Sequence, residues 1–370
     1  AGMAGGFLLE IRRQLQSALL VVREADLPSL PADVSVSADR LEVRSGGSRE
    51  EAALPAGVAL APSSCRGLHR LPGEGLHLRM RLRRPPPSAD LVYTLWESLK
   101  PQENCIFYCQ SCGDIIVKNR KFLRILPLPS ENWSALVEEW CCHPNPFARS
   151  TLHPQHDDCF LGDTFFLLNS GNESHKSKEN TRVTCKRCKT TLGETLSSDT
   201  IKYYVTEVII RPSEESFSPT PRSQFVQSMV AQCLVELSSA KSTFRFTIEG
   251  DNGKIYTLIW LLNSDTLLME SLGSSSSHSG LTPFGDIFLP SSGPVGTWNA
   301  VKVLYQPCIK SRNKDLADAW ENDIGVHPLK FPSETCLELL LILGLSTTSL
   351  PPSLRCMNSF QVRNGCYFSI

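Results

Sequence analysis

Cys109-Gln110-Ser111-Cys112-Gly113 and Cys185-Lys186-Arg187-Cys188-Lys189 are the two stretches on which the reading of this chain turns. Two residues between the thiols of each pair let both sulfurs turn onto one ion. Two pairs supply the four thiolates of a closed tetrahedral structural zinc site. Each pair lies between strand-like runs: Ile106-Phe107-Tyr108 precedes the first, Ile115-Ile116-Val117 follows it, and Thr181-Arg182-Val183-Thr184 leads into the second. That is the pattern of a zinc ribbon, in which two hairpin tips are clamped by one metal. The stretch between the pairs is far longer than in a compact ribbon, so it is expected to be an insertion hung from the clamp. Four unrelated buried thiols are the competing reading. A redox C-x-x-C fits less well, because one pair would suffice and no thioredoxin-like strand–helix context follows.

The chain around these pairs has 370 residues, enough for two or three domains with real cores. Its formal net charge of -1 directs it neither to nucleic acid nor to a membrane surface. Fourteen cysteines in so long a chain, two pairs of them with metal spacing, point to a reducing, cytosolic or nuclear compartment rather than a secreted disulfide scaffold. The apolar run Phe7-Leu8-Leu9-Glu10-Ile11 is broken by Glu10 and followed by Arg12 and Arg13, unlike a signal peptide. No apolar run reaches the roughly 18 residues of a spanning helix, so no membrane partner is expected.

Residues 1–100 read as a strand-rich region. Periodicity leaves 11–22 open between strand and helix, whereas Val34 to Val36, Leu41 to Val43 and above all Gly75 to Leu82 alternate as half-buried strands do. In the last of these Leu76, Leu78, Met80 and Leu82 share one face, and Arg79, Arg81, Arg83 and Arg84 read as a solvated face without the interleaved aromatics of a nucleic-acid strip. Residues 101–210 form the clamped domain, with an inserted partner-binding loop over 126–160. Residues 211–370 hold a connector rich in proline and an amphipathic helix opened by Ser223, with Phe225, Val226, Met229, Val230, Cys233, Leu234 and Leu237 as its apolar stripe. A hairpin turned at Asp251-Asn252-Gly253, a strand at 301–305, a short helix at 314–321 and an apolar helix from Ser333 follow. The fold class is α+β: a strand-rich N-terminal half with a zinc-ribbon-like clamp of four cysteines, and a mixed α/β C-terminal half.

Two further clusters could carry chemistry. In the first, Trp133, Leu136, Val137 and Trp140 fall on one helical face, followed by Cys141-Cys142-His143 in a frame of Pro144 and Pro146. Adjacent cysteines point apart and chelate one ion poorly. A single thiolate offered from this loop could instead complete the open site of another protein's metal. A second internal zinc site with His153, His156 or Cys159, or plain core thiols, are the alternatives. In the second cluster Cys336 stands near the start of a helix, where the dipole lowers a thiol pKa and favours a nucleophilic thiolate; most cysteines on apolar helices are inert core. No nucleotide-binding glycine loop, H-E-x-x-H or G-x-S-x-G occurs.

Phe107-Tyr108-Cys109-Gln110-Ser111-Cys112-Gly113, Leu126 to Trp133, Glu139-Trp140-Cys141-Cys142-His143-Pro144 and Cys185-Lys186-Arg187-Cys188 together resemble the family of HECT-like ubiquitin-protein ligases that bind a ubiquitin-conjugating enzyme and cyclin B. The resemblance runs from Phe7 to about Val362; the tail from Arg363 to Ile370 departs from it. It implies ubiquitin transfer to substrates for proteasomal degradation, with structural zinc on the four cysteines and partners that include the conjugating enzyme, ubiquitin and cyclin B. It places conjugating-enzyme docking on Arg211, Phe217, Phe225, Val226 and Cys233. Thr335-Cys336 matches the thioester neighbourhood of HECT ligases, with Leu337 where they have Phe, which makes Cys336 the expected catalytic residue. A complete HECT domain is bilobal and about as long as this whole chain, so a full HECT fold is not expected. The same family is linked to pre-mRNA 3′-end processing, through a segment like Leu126 to Arg149 that enters the two-zinc endonuclease of the cleavage and polyadenylation complex. The chain would then act as a non-enzymatic inhibitor or assembly factor. Trp133, Leu136, Trp140 and His143 would be its contacts, and Cys142, ahead of Cys141, its ligand to the partner's zinc.

Overall fold

The computed structural model describes residues 6–23, 33–45, 48–83, 99–128, 153–171, 181–215, 217–271, 295–309, 314–348, 350–355 and 365–369. The first apolar runs form a hairpin of β1 (Phe7–Arg12) and β2 (Ser17–Arg23), which settles the ambiguity over 11–22. Arg13, Gln14, Leu15 and Gln16 make the turn, and Gln16 takes a φ of 48°. Next come β3 (Asp33–Val36), β4 (Arg40–Ser45) and β5 (Ser48–Ala53), a small antiparallel sheet, and then the hairpin of β6 (Leu60–Leu71) and β7 (Gly75–Leu82). The central strands are β8 (Asn104–Cys109), β9 (Ile115–Lys121), β10 (Arg124–Pro127), β11 (Asp158–Leu161), β12 (Phe165–Asn169), β13 (Arg182–Thr184), β14 (Thr191–Thr195), β15 (Thr200–Tyr204) and β16 (Val208–Pro212). Helix α1 (Arg222–Lys241) leads to β17 (Arg245–Gly250), β18 (Ile255–Ser271), β19 (Val295–Pro307), α2 (Lys314–Glu321), β20 (Val326–Phe331), α3 (Ser333–Thr348) and β21 (Gly365–Ser369).

The largest sheet runs in the order β20-β17-β18-β1-β2-β7-β6, with β19 along the other edge of β18 and β21 beside β19. The 17 residues of β18 make this possible: its first half pairs with β17 and its second half with β1. The stretches 1–100 and 211–370 therefore share one sheet rather than holding separate ones. Side chains alternate across it with the period of two that strands impose. Phe7, Leu9, Ile11, Leu20, Val22, Leu267 and Met269 face the small sheet and meet Leu41 and Val43, while Leu8, Leu19, Val21 and Leu268 face the opposite way toward Leu350.

At the other end of the sheet, Phe246, Ile248, Ile259, Val301, Val303, Leu329 and Phe331 join one core with α1, α3 and the central strands. The chain enters α1 through Pro219 and Pro221, residues that cannot extend a helix backward, and leaves it at Ser242 in the left-handed region. All seven apolar positions of its stripe are buried. The hairpin about Asp251-Asn252-Gly253 and the helix from Ser333 form where periodicity placed them. The class is α+β.

The central strands make a three-stranded sheet, β16-β8-β9, and a six-stranded one, β10-β11-β12-β15-β14-β13. The stretch between the cysteine pairs is thus more than an insertion. β11 and β12 belong to the sheet that carries the second pair, because β12 pairs with β15 and β15 with β14. Pairing with β12 puts residues 158–160 of the expected loop in the sheet, while β10 runs parallel to β11 with Leu126 beside Phe160.

Candidate metal centre

The two cysteine pairs adopt one local geometry. In the first knuckle the Cys109 N–H donates to the Asp114 carbonyl at 2.8 Å and the Gly113 N–H to the Cys109 carbonyl at 2.8 Å. In the second, Cys185 N–H donates to Thr190 at 2.9 Å and Lys189 N–H to Cys185 at 3.0 Å. The residue after each second cysteine has positive φ, 71° at Gly113 and 65° at Lys189, and that reversal aims both sulfurs of a pair to the same side. At Gly113 a side chain would also collide with the Phe217 ring, which lies 2.8 Å from where its Cβ would stand.

These knuckles bring four sulfurs together within 4.8 Å of one another. Cys109 and Cys188 are 3.6 Å apart, and Cys112 and Cys185 are 3.7 Å apart. A tetrahedral zinc with four bonds of about 2.3 Å needs sulfur–sulfur edges near 3.8 Å, so the donor set and its size both fit. Cys109 and Cys185 are buried, Cys112 is half-buried and Cys188 is exposed. Burial pushes the Cys109 and Cys112 thiols up. At Cys188 burial acts in the same direction, but hydrogen bonds from Thr190 and from the neighbouring thiols outweigh it and bring that thiol down to about 6. Lys186, Arg187 and Lys189 flank the site and would offset the charge of four thiolates; Arg187 reaches the Cys112 carbonyl at 3.5 Å. Zinc bound here would join β8 and β9 to β13 and β14, a structural role with no open coordination position.

The alternative ligands lie elsewhere, and among the described residues the four cysteines are the one group with metal-ligand spacing. Cys159 is buried on β11. His153 Nδ1 lies 3.1 Å from the Thr200 hydroxyl, and His156 Nδ1 lies 2.7 Å from Asp157. Trp133, Leu136, Trp140, Cys141, Cys142 and His143 lie outside the described residues.

Two groups of expected site residues lie in the core. Phe225, Val226 and Cys233 are all buried in the shared core, and the Cys233 thiol donates to the Asp163 carbonyl at 3.2 Å. Of the docking residues expected on the connector, Phe217 packs on Tyr108 with ring centroids 4.7 Å apart, and Arg211 extends β16 beside Ile106. Cys336 is likewise buried, its sulfur 3.4 Å from the Glu249 carbonyl. Burial, with Asp251 adding to it, pushes the thiol up to about 12, so desolvation overrides the helix dipole that was expected to activate it.

An ionic network missed in the sequence sits between the metal centre and α3. Arg222 Nη2 donates to Glu207 Oε1 at 2.8 Å and to the Thr335 hydroxyl at 2.9 Å, its Nε to Glu338 at 2.9 Å, and its Nη1 to Gln110 at 3.3 Å and to the Thr206 carbonyl. One local signal existed: Arg222 opens a helix, where a cation opposes the dipole and therefore needs a partner elsewhere.

Residues 10–362 match the family described as HECT-like ubiquitin-conjugating enzyme (E2)-binding. The chain is 59% identical over 355 residues to a mouse protein named as an E3 ubiquitin-protein ligase, covering 96% of each. It is 52% identical over 376 residues to a human protein of the same name, again covering 96% of each. An uncharacterized protein of Saccharomyces cerevisiae is 22% identical over 144 residues, covering 36% of this chain and 42% of its own. No solved structure matches the chain.

Proposed function

The chain belongs to the HECT-like, ubiquitin-conjugating enzyme (E2)-binding family, and from that premise we propose that it is an E3 ubiquitin ligase serving substrates destined for proteasomal degradation. The extent of the family match, nearly the whole chain, carries this reading. In the proposed step a substrate amine attacks the thioester carbonyl held on the conjugating enzyme. The amide bond forms, the carbon–sulfur bond breaks, and the thiolate stays with the conjugating enzyme. Cys336 takes no part, a reading supported by its burial and its raised pKa. The conjugating enzyme docks on the connector after β16, at Phe217 and the exposed Glu214, Glu215, Ser218 and Pro219, since the stripe of α1 is inaccessible. Cyclin B enters as a binding partner on the resemblance alone.

The test is reconstitution with activating enzyme, a panel of conjugating enzymes and ubiquitin. The wild-type chain should accelerate discharge of the conjugating-enzyme thioester onto substrate, and Cys336→Ala should stay within about twofold of it. No acceleration with any conjugating enzyme would remove the ligase reading. A reducible ubiquitin adduct lost only in Cys336→Ala would restore the thioester.

A second reading draws on the pairing of β10 with β11, which anchors both ends of the intervening segment to the clamped sheet, at opposite ends of a parallel strand pair. We propose that this segment caps the two-zinc site of the pre-mRNA 3′-end-processing endonuclease, with Cys142 displacing the metal-bound water. Cys142→Ser should then relieve inhibition in a cleavage assay, while Cys336→Ala should not.

A further inference from the structure

We propose that the open face of β7 and β6, beside the β1–β2 turn, is a docking groove for an acidic polypeptide segment of a protein partner, held by Arg66, Arg79 and Arg81. The register places these side chains together. One row across the sheet reads Glu10, Leu19, Arg79, Arg66 on β1, β2, β7 and β6; the adjacent row reads Arg12, Ser17, Arg81, Ala61. Directly opposed residues share a face, so one side of the sheet carries all four arginines. Toward its other end this face is covered by Leu350 and by the turn at Pro352–Leu354, where Ser353 N–H donates to Glu74 at 2.7 Å.

Arg66 reaches this position through an irregularity in β6. Ala61 opposes Arg81 and Arg66 opposes Arg79, so five steps of β6 are matched by two of β7. Ser64 braces the bulge: its hydroxyl donates to the Ala61 carbonyl at 2.6 Å and accepts from the Arg81 N–H at 2.8 Å. A sheet that adds residues to bring one arginine opposite another sets like charges side by side, a pairing that costs stability unless an anion joins them. The acids that β1 and β18 bring to this face are already committed, since Glu10 holds Lys302 at 3.1 Å and Arg12 at 2.6 Å and Glu270 pairs with Arg23. Arg66, Arg79 and Arg81 have no acidic partner among the described residues and are exposed.

The groove has a volume of about 450 Å³, and Gln14, Gln16 and Ser17 add neutral hydrogen-bonding groups to its wall. That space accommodates a few carboxylate side chains. No aromatic ring among the described residues lines it, so these residues offer no stacking platform for the bases of a nucleic acid. β6 is also the last strand of its sheet among the described residues. An extended segment laid along it would find free backbone groups beside the arginines.

Fluorescence anisotropy of the full chain with a labelled hexaglutamate peptide tests this. Binding is expected to weaken as salt is raised and to fall at least about tenfold in Arg66→Glu/Arg79→Glu. Arg66→Gln should weaken binding while keeping or raising the melting temperature, because it relieves the like-charge pair without disturbing the fold. Peptide binding that is absent, or unchanged in both variants, overturns the proposal. So does tighter binding of a single-stranded oligonucleotide of equal charge that is lost in the same variants, which would make the groove a nucleic-acid site.

Discussion

Arg222 and Glu207 form an ion pair of 2.8 Å at the point where the strands of the metal centre meet α1 and α3. Glu207 is buried, and Thr335 donates to the same carboxylate oxygen at 2.6 Å. The guanidinium thus joins the first cysteine knuckle, through Gln110, to the first turn of α3. Burial lowers the Arg222 pKa, but Glu207 and then Glu338 outweigh it and leave it raised. Arg222→Ala leaves a buried carboxylate without its cation and should cost about 3–5 kcal/mol in denaturant unfolding. Arg222→Lys should recover only part of that, because an ammonium cannot reproduce the planar fork.

Cys336 should resist alkylation in the folded chain. A buried thiol with a pKa of about 12 holds almost no thiolate at neutral pH. Iodoacetamide labelling of the zinc-loaded chain followed by peptide mass mapping should mark exposed Cys65 well before Cys336, which should label only on unfolding. Rapid native labelling at Cys336 would contradict the burial.

The metal centre should yield one zinc per chain by elemental analysis, and Cys109→Ser or Cys185→Ser should abolish it. Chelation should open the two hairpins that the knuckles tip and cost more than about 4 kcal/mol. The sign with pH follows from the ligands. Zinc requires thiolates, and in the metal-free site burial holds Cys109 and Cys112 protonated, so metal binding releases protons and affinity falls as pH falls. Zinc release monitored with a chromogenic chelator should therefore quicken on acidification.

Gly193 has no room for a side chain: a Cβ would stand 1.9 Å from the Lys202 carbonyl oxygen. That neighbour is backbone, so β14 must separate from β15 to accept Gly193→Ala. The variant should lose several kcal/mol and bind zinc less tightly, since β14 follows the second knuckle. Thermal melting and zinc content read the two effects separately.

Asp158 pairs with Arg124 through two contacts, at 2.7 and 2.8 Å, and these hold its carboxyl below the ordinary value of 3.8. A lowered pKa in the folded chain contributes stability that is fully present above the unfolded value and is lost as pH falls through the folded one. Arg124 is largely solvent-exposed, so the contribution is about 1 kcal/mol or less. Asp158→Asn should remove it at pH 7 and flatten the stability curve below about pH 4.

Local spacing alone determined the parts of this protein whose geometry is local. Two C-x-x-C pairs, each beside strand-like runs, carry the spacing of paired knuckles, so Cys109, Cys112, Cys185 and Cys188 were legible as one candidate site. A stripe at i, i+3, i+4 and i+7 makes an amphipathic helix, so α1 was legible with its apolar face. What covers that face was not legible. The same stripe suits docking or a core, and only the strands packed on Phe225 and Val226 decide between them. Cys336 shows the same limit, since helix position is local but desolvation sums over neighbours far apart in sequence, and desolvation is the larger effect. Arg79 and Arg81 read as a solvated face for a related reason. Strand periodicity assigns side chains to a face, but the long-range register that sets Arg66 opposite Arg79 depends on a bulge with no signature in the residues themselves.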